Sequence, residues 1–296
     1  MARPPIFVAL VLGITLVESA CASTVPSRAS SEPPAPGTGP PSAPTVAPSR
    51  SGATSSDASS RAAETLQGRF NVGAGRSLEL ECRGAGSPTL LFLVGSNVPR
   101  TQMREIEDAF VTTHRVCDYD RDDPEVPRIG TEDGELEALL RAASVPGPYV
   151  LVGQSAGGNL AWYYASRHPT TVAAFIAMNP GPFRLDPAVM KQVWTPDEMH
   201  AEFPKPGSPA DIDSRLLEDA DPPRSIPYVV MLSTIVQCES PTDICGRFYP
   251  AYEAWARAIA SRTANGRLVQ VDAPHEIFGT RPDAVVTAVK GLLAVP

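Results

Sequence analysis

Residues 148–160 read Pro-Tyr-Val-Leu-Val-Gly-Gln-Ser-Ala-Gly-Gly-Asn-Leu. Gly147 and Pro148 punctuate the start, and Tyr149 to Val152 follow without polar alternation, as a buried parallel strand requires. Gly153 ends the run abruptly. The spacing Gly153-x-Ser155-x-Gly157 has a mechanical reason. A serine held at a sharp strand-to-helix corner needs small neighbours two residues to either side, so that the backbone doubles back without collision. The stretch therefore predicts strand, tight turn and helix, with Ser155 placed as a nucleophile and the Ala156 N–H aimed into the same space. A glycine-rich turn carrying an inert serine is the plain alternative.

Working outward, Gly68–Val72 and Ser77–Cys82 read as a hairpin around Gly73-Ala74-Gly75. Leu90–Val94 is an all-apolar strand that stops at Gly95-Ser96-Asn97, and a helix over Gln102–Phe110 leads to a strand at His114–Tyr119. Gly134–Ser144 has helical apolar spacing and delivers the chain to the serine strand. Beyond the serine helix come a strand at Val172–Met178, a Pro- and Asp-rich excursion over about 180–225, and a strand at Tyr228–Leu232. A helix over Ala251–Arg262, a strand at Leu268–Val271 and a helix over Pro282–Leu293 close the chain. Apolar strands alternating with helices imply an α/β protein whose mostly parallel sheet is covered on both faces. Chemistry in such sheets gathers at the carboxyl ends of the strands.

The remaining sequence speaks to location. Residues 1–22 resemble an export signal, with Arg3 before an apolar run from Ile6 to Val17 that is too short to span a bilayer comfortably. Ala20-Cys21-Ala22 suits ordinary cleavage, whereas Ser19-Ala20-Cys21 resembles the end of a bacterial lipoprotein signal in which Cys21 is lipidated. Glu18 departs from the leucine-like residue that the lipoprotein pattern prefers. Residues 23–62 are built mainly of Ser, Pro, Ala, Thr and Gly and cannot bury a core. As a coil they would span on the order of 35 Å, and up to about 120 Å in polyproline II. They suit a tether or a passive spacer, and the folded domain is expected over 63–296.

The chain has 296 residues and a formal net charge of −8, with no basic stripe, which argues against nucleic acid as a partner. Apart from Cys21 the cysteines number four, an even count suited to an oxidising compartment. Cys238 and Cys245 close a short loop, and Cys82 and Cys117, near the ends of two expected strands, are expected to pair with each other. No spacing typical of a metal site is present, and no metal or cofactor is expected.

Over about Leu66 to Val295 the chain resembles the α/β-hydrolase superfamily, on GSPTLLFLVGSN, RVCDYDR, VPGPYVLVGQSAGG and DAPHEIF in that order. The second and third are particularly similar to exported actinobacterial members. The resemblance implies a central sheet of about eight strands with helices on both faces and a small lid, the excursion near 180–225. It also places the strand bearing Cys82 beside that bearing Cys117.

A serine hydroxyl needs a base oriented by a carboxylate. Of the four histidines, His114 lies at the wrong end of its strand, His168 ends the serine helix, and His200 falls in the excursion. His275 directly follows the last strand, where the resemblance puts the base. The family's carboxylate usually follows the strand before the histidine strand. That leaves Asp243, with Glu239 as the alternative, because Asn179 at the other known location cannot balance an imidazolium and Asp272 reads as a turn residue. The resemblance implies oxyanion donors at Ala156 and Ser96, with Val94-Gly95 standing where the family often has His-Gly. Trp194, Met199 and Phe203 would line an acyl pocket or simply pack a lid. The expected activity is exported hydrolysis of a small carboxylic ester through an acyl-enzyme, the membrane being touched only through a lipid on Cys21. Amidase, peptidase or acyltransferase chemistry on the same fold, or a surface protein that has lost the chemistry, are the alternatives.

Overall fold

The computed structural model describes residues 65–121, 128–181, 191, 193, 195, 209–222, 224–235 and 242–295, with the backbone alone at 209, 210 and 242–245. The export signal, the linker, Cys21, Cys238, Glu239, His200, Trp194, Met199 and Phe203 lie outside the described residues.

Eight strands form one sheet: β1 (Leu66–Gly73), β2 (Arg76–Arg83), β3 (Thr89–Leu93), β4 (Val116–Tyr119), β5 (Tyr149–Gln154), β6 (Val172–Met178), β7 (Tyr228–Ser233) and β8 (Gly266–Val271). Their order is β1-β2-β4-β3-β5-β6-β7-β8. β1 and β2 are antiparallel to their neighbours, and from β4 to β8 every pairing is parallel. The all-apolar runs took the centre: every residue of β3, β4, β5 and β7 is buried, while edge strands β1 and β8 keep exposed positions.

The period-two alternation of a strand sends neighbours to opposite faces. Leu91, Leu93 and Leu151 join one core with residues of α2 (Ile129–Ala142), α3 (Ala156–Arg167) and α5 (Thr242–Ala260). Leu90, Phe92, Val150 and Val152 join the other with residues of α1 (Arg104–Asp108), α6 (Ile277–Thr280) and α7 (Pro282–Leu293). On the first of these faces α4 (Pro209–Asp219), the described helix of the excursion, packs on α2 and α3. The indole N–H of fully buried Trp162 in α3 donates to the Ala220 carbonyl just past α4, at 2.9 Å.

Three boundaries differ from expectation. The helix anticipated over Gln102–Phe110 is a 3-10 turn, Arg100–Met103, followed by the single short helix α1. The Phe110 carbonyl then accepts the N–H groups of Thr113 and His114, a turn that keeps His114 out of β4. α2 starts at Ile129 rather than Gly134, burying Ile129 and Asp133. α5 starts at Thr242 rather than Ala251 and carries Pro250 inside it. A proline inside a helix forfeits one backbone hydrogen bond. Here packing outweighs that loss: Tyr249 and Tyr252 of the same helix hydrogen-bond to Ser233 O and Pro180 O, at 2.8 and 2.7 Å.

Cys82 and Cys117 are directly opposed partners on β2 and β4 and form a disulfide. Replacing both by serine is expected to lower stability by about 2–4 kcal/mol through the freer unfolded chain. Urea denaturation of the two proteins measures this, and coincident midpoints would show that the bridge carries no stability. The Cys238–Cys245 pairing falls outside the described residues.

Candidate active site

Ser155 stands between β5 and α3 with φ 51° and ψ −121°, a conformation that side chains other than hydrogen seldom adopt. Neighbours hold it there. Its N–H donates to Met178 O at 2.8 Å, and its carbonyl accepts Gly158 N and Asn159 N at 2.9 and 3.1 Å.

The flanking glycines are required by contact. A Cβ on Gly157 would lie 1.9 Å from the Leu93 carbonyl oxygen, and one on Gly153 would lie 2.2 Å from the Gly157 carbonyl oxygen. Both obstacles are backbone, so neither can move aside. Ala156 is the first residue of α3, and its N–H belongs to the opening donors that no carbonyl within the helix can reach. Anionic charge is favoured at such an end.

The loop after β3 closes against this corner. A Cβ on Gly95 would meet Gln154 Oε1 at 2.4 Å and Ser155 Cβ at 3.2 Å, so Ser96 follows the residue that touches the elbow. Ser96 Oγ and Gln154 Oε1 are both buried, with no hydrogen-bond partner among the described residues. Buried polar atoms of this kind are uncommon.

Two arginines that sequence reading did not single out pin this loop. Arg121 donates to Val94 O at 2.7 Å and pairs with Glu132. Burial opposes its charge, yet Glu132 holds its pKa above the ordinary value. Arg100, at the far end of the loop, binds Asp118 at 2.5 Å, Glu81 at 2.9 Å and Asp120 at 3.2 Å. Hydrogen bonding from Arg104, aided by Arg100 and opposed by burial, lowers Glu81 to about 2. Within the same cluster burial and the neighbouring Asp118 push Glu107 up to about 8, against the pull of Arg104 and Arg83. Charged residues inside a buried strand, as in Val-Cys-Asp-Tyr of β4, were the signal available.

The loop of His275 is tied to a residue beside this corner. His275 lies in the loop after β8, three strands from β5 in the sheet. Yet its carbonyl accepts a 2.8 Å hydrogen bond from Asn179 Nδ2, and Asn179 follows Met178, whose carbonyl binds Ser155 N. The loop thus crosses the end of β7 to reach β6. Helix α6, immediately beyond, packs on the 3-10 turn that follows Ser96. Burial pushes the His275 imidazole below its ordinary pKa, opposed by Glu276.

The other sequence-derived residues divide cleanly. His168 caps α3, stacks on Tyr164 at 4.1 Å and meets Asp133 at 2.9 Å, which is a structural role. His114 pairs with Thr113 Oγ1 away from these loops. Asp272 is exposed and accepts from Thr234 Oγ1 at 3.2 Å, consistent with a turn residue. Asp243 is the second residue of α5, and only its backbone is described. Among the described residues no cluster of His, Cys, Asp and Glu is arranged to hold a metal ion.

A family model described as alpha/beta hydrolase fold matches residues 128–212, which span α2, β5, the serine corner, α3 and β6. The Bacillus subtilis (strain 168) protein "Uncharacterized protein YbdG" is 26% identical over 117 residues, 36% of this chain and 36% of the relative. The chain therefore spans about a third of that relative's length.

Among solved structures, an alpha/beta hydrolase fold protein from Burkholderia ambifaria superposes with a TM-score of 0.53 at 20% identity, covering 77% of this chain and 99% of that one. Carboxylesterase CesB (YbfK) from Bacillus subtilis gives 0.52 at 12% identity, over 79% and 93%. A thermophilic esterase from Thermogutta terrifontis gives 0.51 at 16% identity, over 77% and 98%. At such identities the likeness is one of fold. With the strand order, the serine corner and these matches together, the chain has the alpha/beta hydrolase fold.

Proposed function

We propose that this protein is an exported serine hydrolase that cleaves small carboxylic esters through an acyl-enzyme. The backbone of Ser155 is the observation that carries the reading. It is held at φ 51° between a fully buried strand and an open helix N-terminus; the loop bearing Ser96 closes on it, and the loop bearing His275 is bound by Asn179, the residue after the one whose carbonyl holds the Ser155 N–H.

In this reading Ser155 Oγ attacks the ester carbonyl carbon while the His275 imidazole accepts its proton. The N–H groups of Ala156 and Ser96 hold the oxyanion. The intermediate collapses, the C–O bond to the alcohol breaks, and His275 returns the proton to the departing oxygen. Water then repeats the sequence on the acyl group and releases the acid. Asp243 orients the imidazole, with Glu239 as the alternative. Export through residues 1–22, attachment through Cys21 and a tether over residues 23–62 belong to the same proposal. They rest on the sequence alone.

Incubation with a fluorophosphonate tests the chemistry: covalent mass should appear on Ser155, and absence of labelling in the folded protein would sink the proposal. The pH dependence is a second check. A base must be neutral, and burial lowers the His275 pKa, so it stays neutral further into acid than an ordinary imidazole. The acid limb of kcat/KM should therefore have its midpoint below about 6.5. A midpoint above about 6.5 would show that the carboxylate partner, which favours the imidazolium, outweighs burial at His275.

A further inference from the structure

Asn179 immediately follows β6 and leaves strand geometry. Its φ is +41°, in the left-handed region that asparagine tolerates better than most residues. Its backbone N–H still continues the ladder, donating to Met231 O at 2.8 Å. The side chain is 99% inaccessible, being 1% exposed, and every polar atom it carries is used. Oδ1 accepts from Ser233 N at 2.9 Å and from Ser233 Oγ at 3.2 Å, while Nδ2 donates to His275 O at 2.8 Å.

These partners also fix which way the amide points. A backbone N–H can only donate and a backbone carbonyl can only accept, so oxygen faces Ser233 and nitrogen faces His275. Ser233 is itself held from behind, because its carbonyl accepts the Tyr249 hydroxyl of α5 at 2.8 Å.

We propose that Asn179 is a positioning residue that sets the height of His275 above the sheet relative to Ser155, and that it must be an amide to do so. At neutral pH an amide accepts from Ser233 and donates to His275 O at once, which an ionised carboxylate cannot do. An ionised aspartate of the same shape would set oxygen against oxygen at the His275 carbonyl. The inference rests on the reading of Ser155 and His275 as nucleophile and base. It assigns Asn179 no contact with the substrate.

The test uses Asn179→Asp and Asn179→Gly in the full chain, assayed with p-nitrophenyl acetate from pH 5.5 to 8.5. Melting curves and fluorophosphonate labelling of the wild type run alongside. Both substitutions tolerate a left-handed backbone, so the side chain is the variable. At pH 8 each should lose about 10- to 100-fold in kcat with KM changed by less than about threefold, the expected effect of a misplaced base.

The two variants should differ in pH response. A carboxyl group that regains its proton can donate to His275 O again, so the activity of Asn179→Asp relative to wild type should climb as pH falls. That of Asn179→Gly should stay flat. Folded variants with kcat within about threefold of wild type across the range would overturn the proposal. So would an Asn179→Asp profile parallel to that of the glycine variant. If the wild type is not labelled at Ser155, the hydrolase reading itself has failed. A labelled wild type with unaffected variants sinks only the role of Asn179.

Discussion

Ser155→Ala is expected to lower turnover of a short p-nitrophenyl ester by at least about a thousandfold, because nucleophile, base and orienter act as a unit and loss of one disables the others. The fold should survive. Ser155 is only half-buried, and its structural contacts run through the backbone: N–H to Met178 O and carbonyl to Gly158 N and Asn159 N. Alanine keeps all of these.

Ser155→Gly sharpens the experiment. At φ 51° and ψ −121° glycine relieves a conformation that costs other residues on the order of 1–3 kcal/mol, so this variant should melt no lower than wild type while being equally inactive. Activity of either variant within about tenfold of wild type would remove Ser155 from the chemistry. Loss of activity together with loss of the melting transition would instead mark the serine as structural.

Asp243→Asn is expected to fall by on the order of ten-thousandfold in kcat at neutral pH, the cost of losing a carboxylate that holds the histidine tautomer. Glu239→Gln should change kcat by only a few-fold. The choice between them draws on α5. The helix begins at Thr242, so the backbone at Asp243 is already regular, and the same helix is tied to the ends of β7 and β6 through Tyr249 and Tyr252. Those strand ends lie on the carboxyl edge of the sheet, where Ser155 and the His275 loop also sit. An acid carried by this helix would therefore be referenced to the same framework as Ser155 and His275. Steady-state kinetics of the two variants decide the matter. A large loss in Glu239→Gln with a mild one in Asp243→Asn would move the role to Glu239. Two mild effects would place the third member elsewhere.

What the sequence determined by itself is local in origin. The continuous apolar runs of β3, β5 and β7 exclude a solvent-facing strand, whatever lies around them, and their alternation with helical periodicity leaves a parallel, two-sided sheet as the economical solution. The serine corner was legible for the same reason. Gly153 answers to a collision within a few residues, with Gly157, whereas the need for Gly157 itself is set by Leu93, 64 positions earlier on the neighbouring strand.

Contacts between distant segments were not legible in this way, because their residues look ordinary in isolation. In the sequence Asn179 is only an amide at the family's other acid position, and the fold sets it beside Ser233 and His275, 54 and 96 positions along the chain. Arg100 and Arg121 belong to no motif in the sequence, and only the fold brings Glu81 of β2 and Asp118 of β4 to the first, and Glu132 of α2 and the Val94 carbonyl just past β3 to the second. The start of α5 was hidden for a related reason. Proline carries a local preference against a helix interior, and it is set against tertiary contacts: core burial of Trp255, Ala256 and Ile259 and the hydrogen bonds of Tyr249 and Tyr252 to neighbouring strand ends. Short-range sterics and burial thus chose the layers and the corner that holds Ser155. The height and orientation of the groups around it were decided by hydrogen bonds and ion pairs between segments that only the closed sheet brings together.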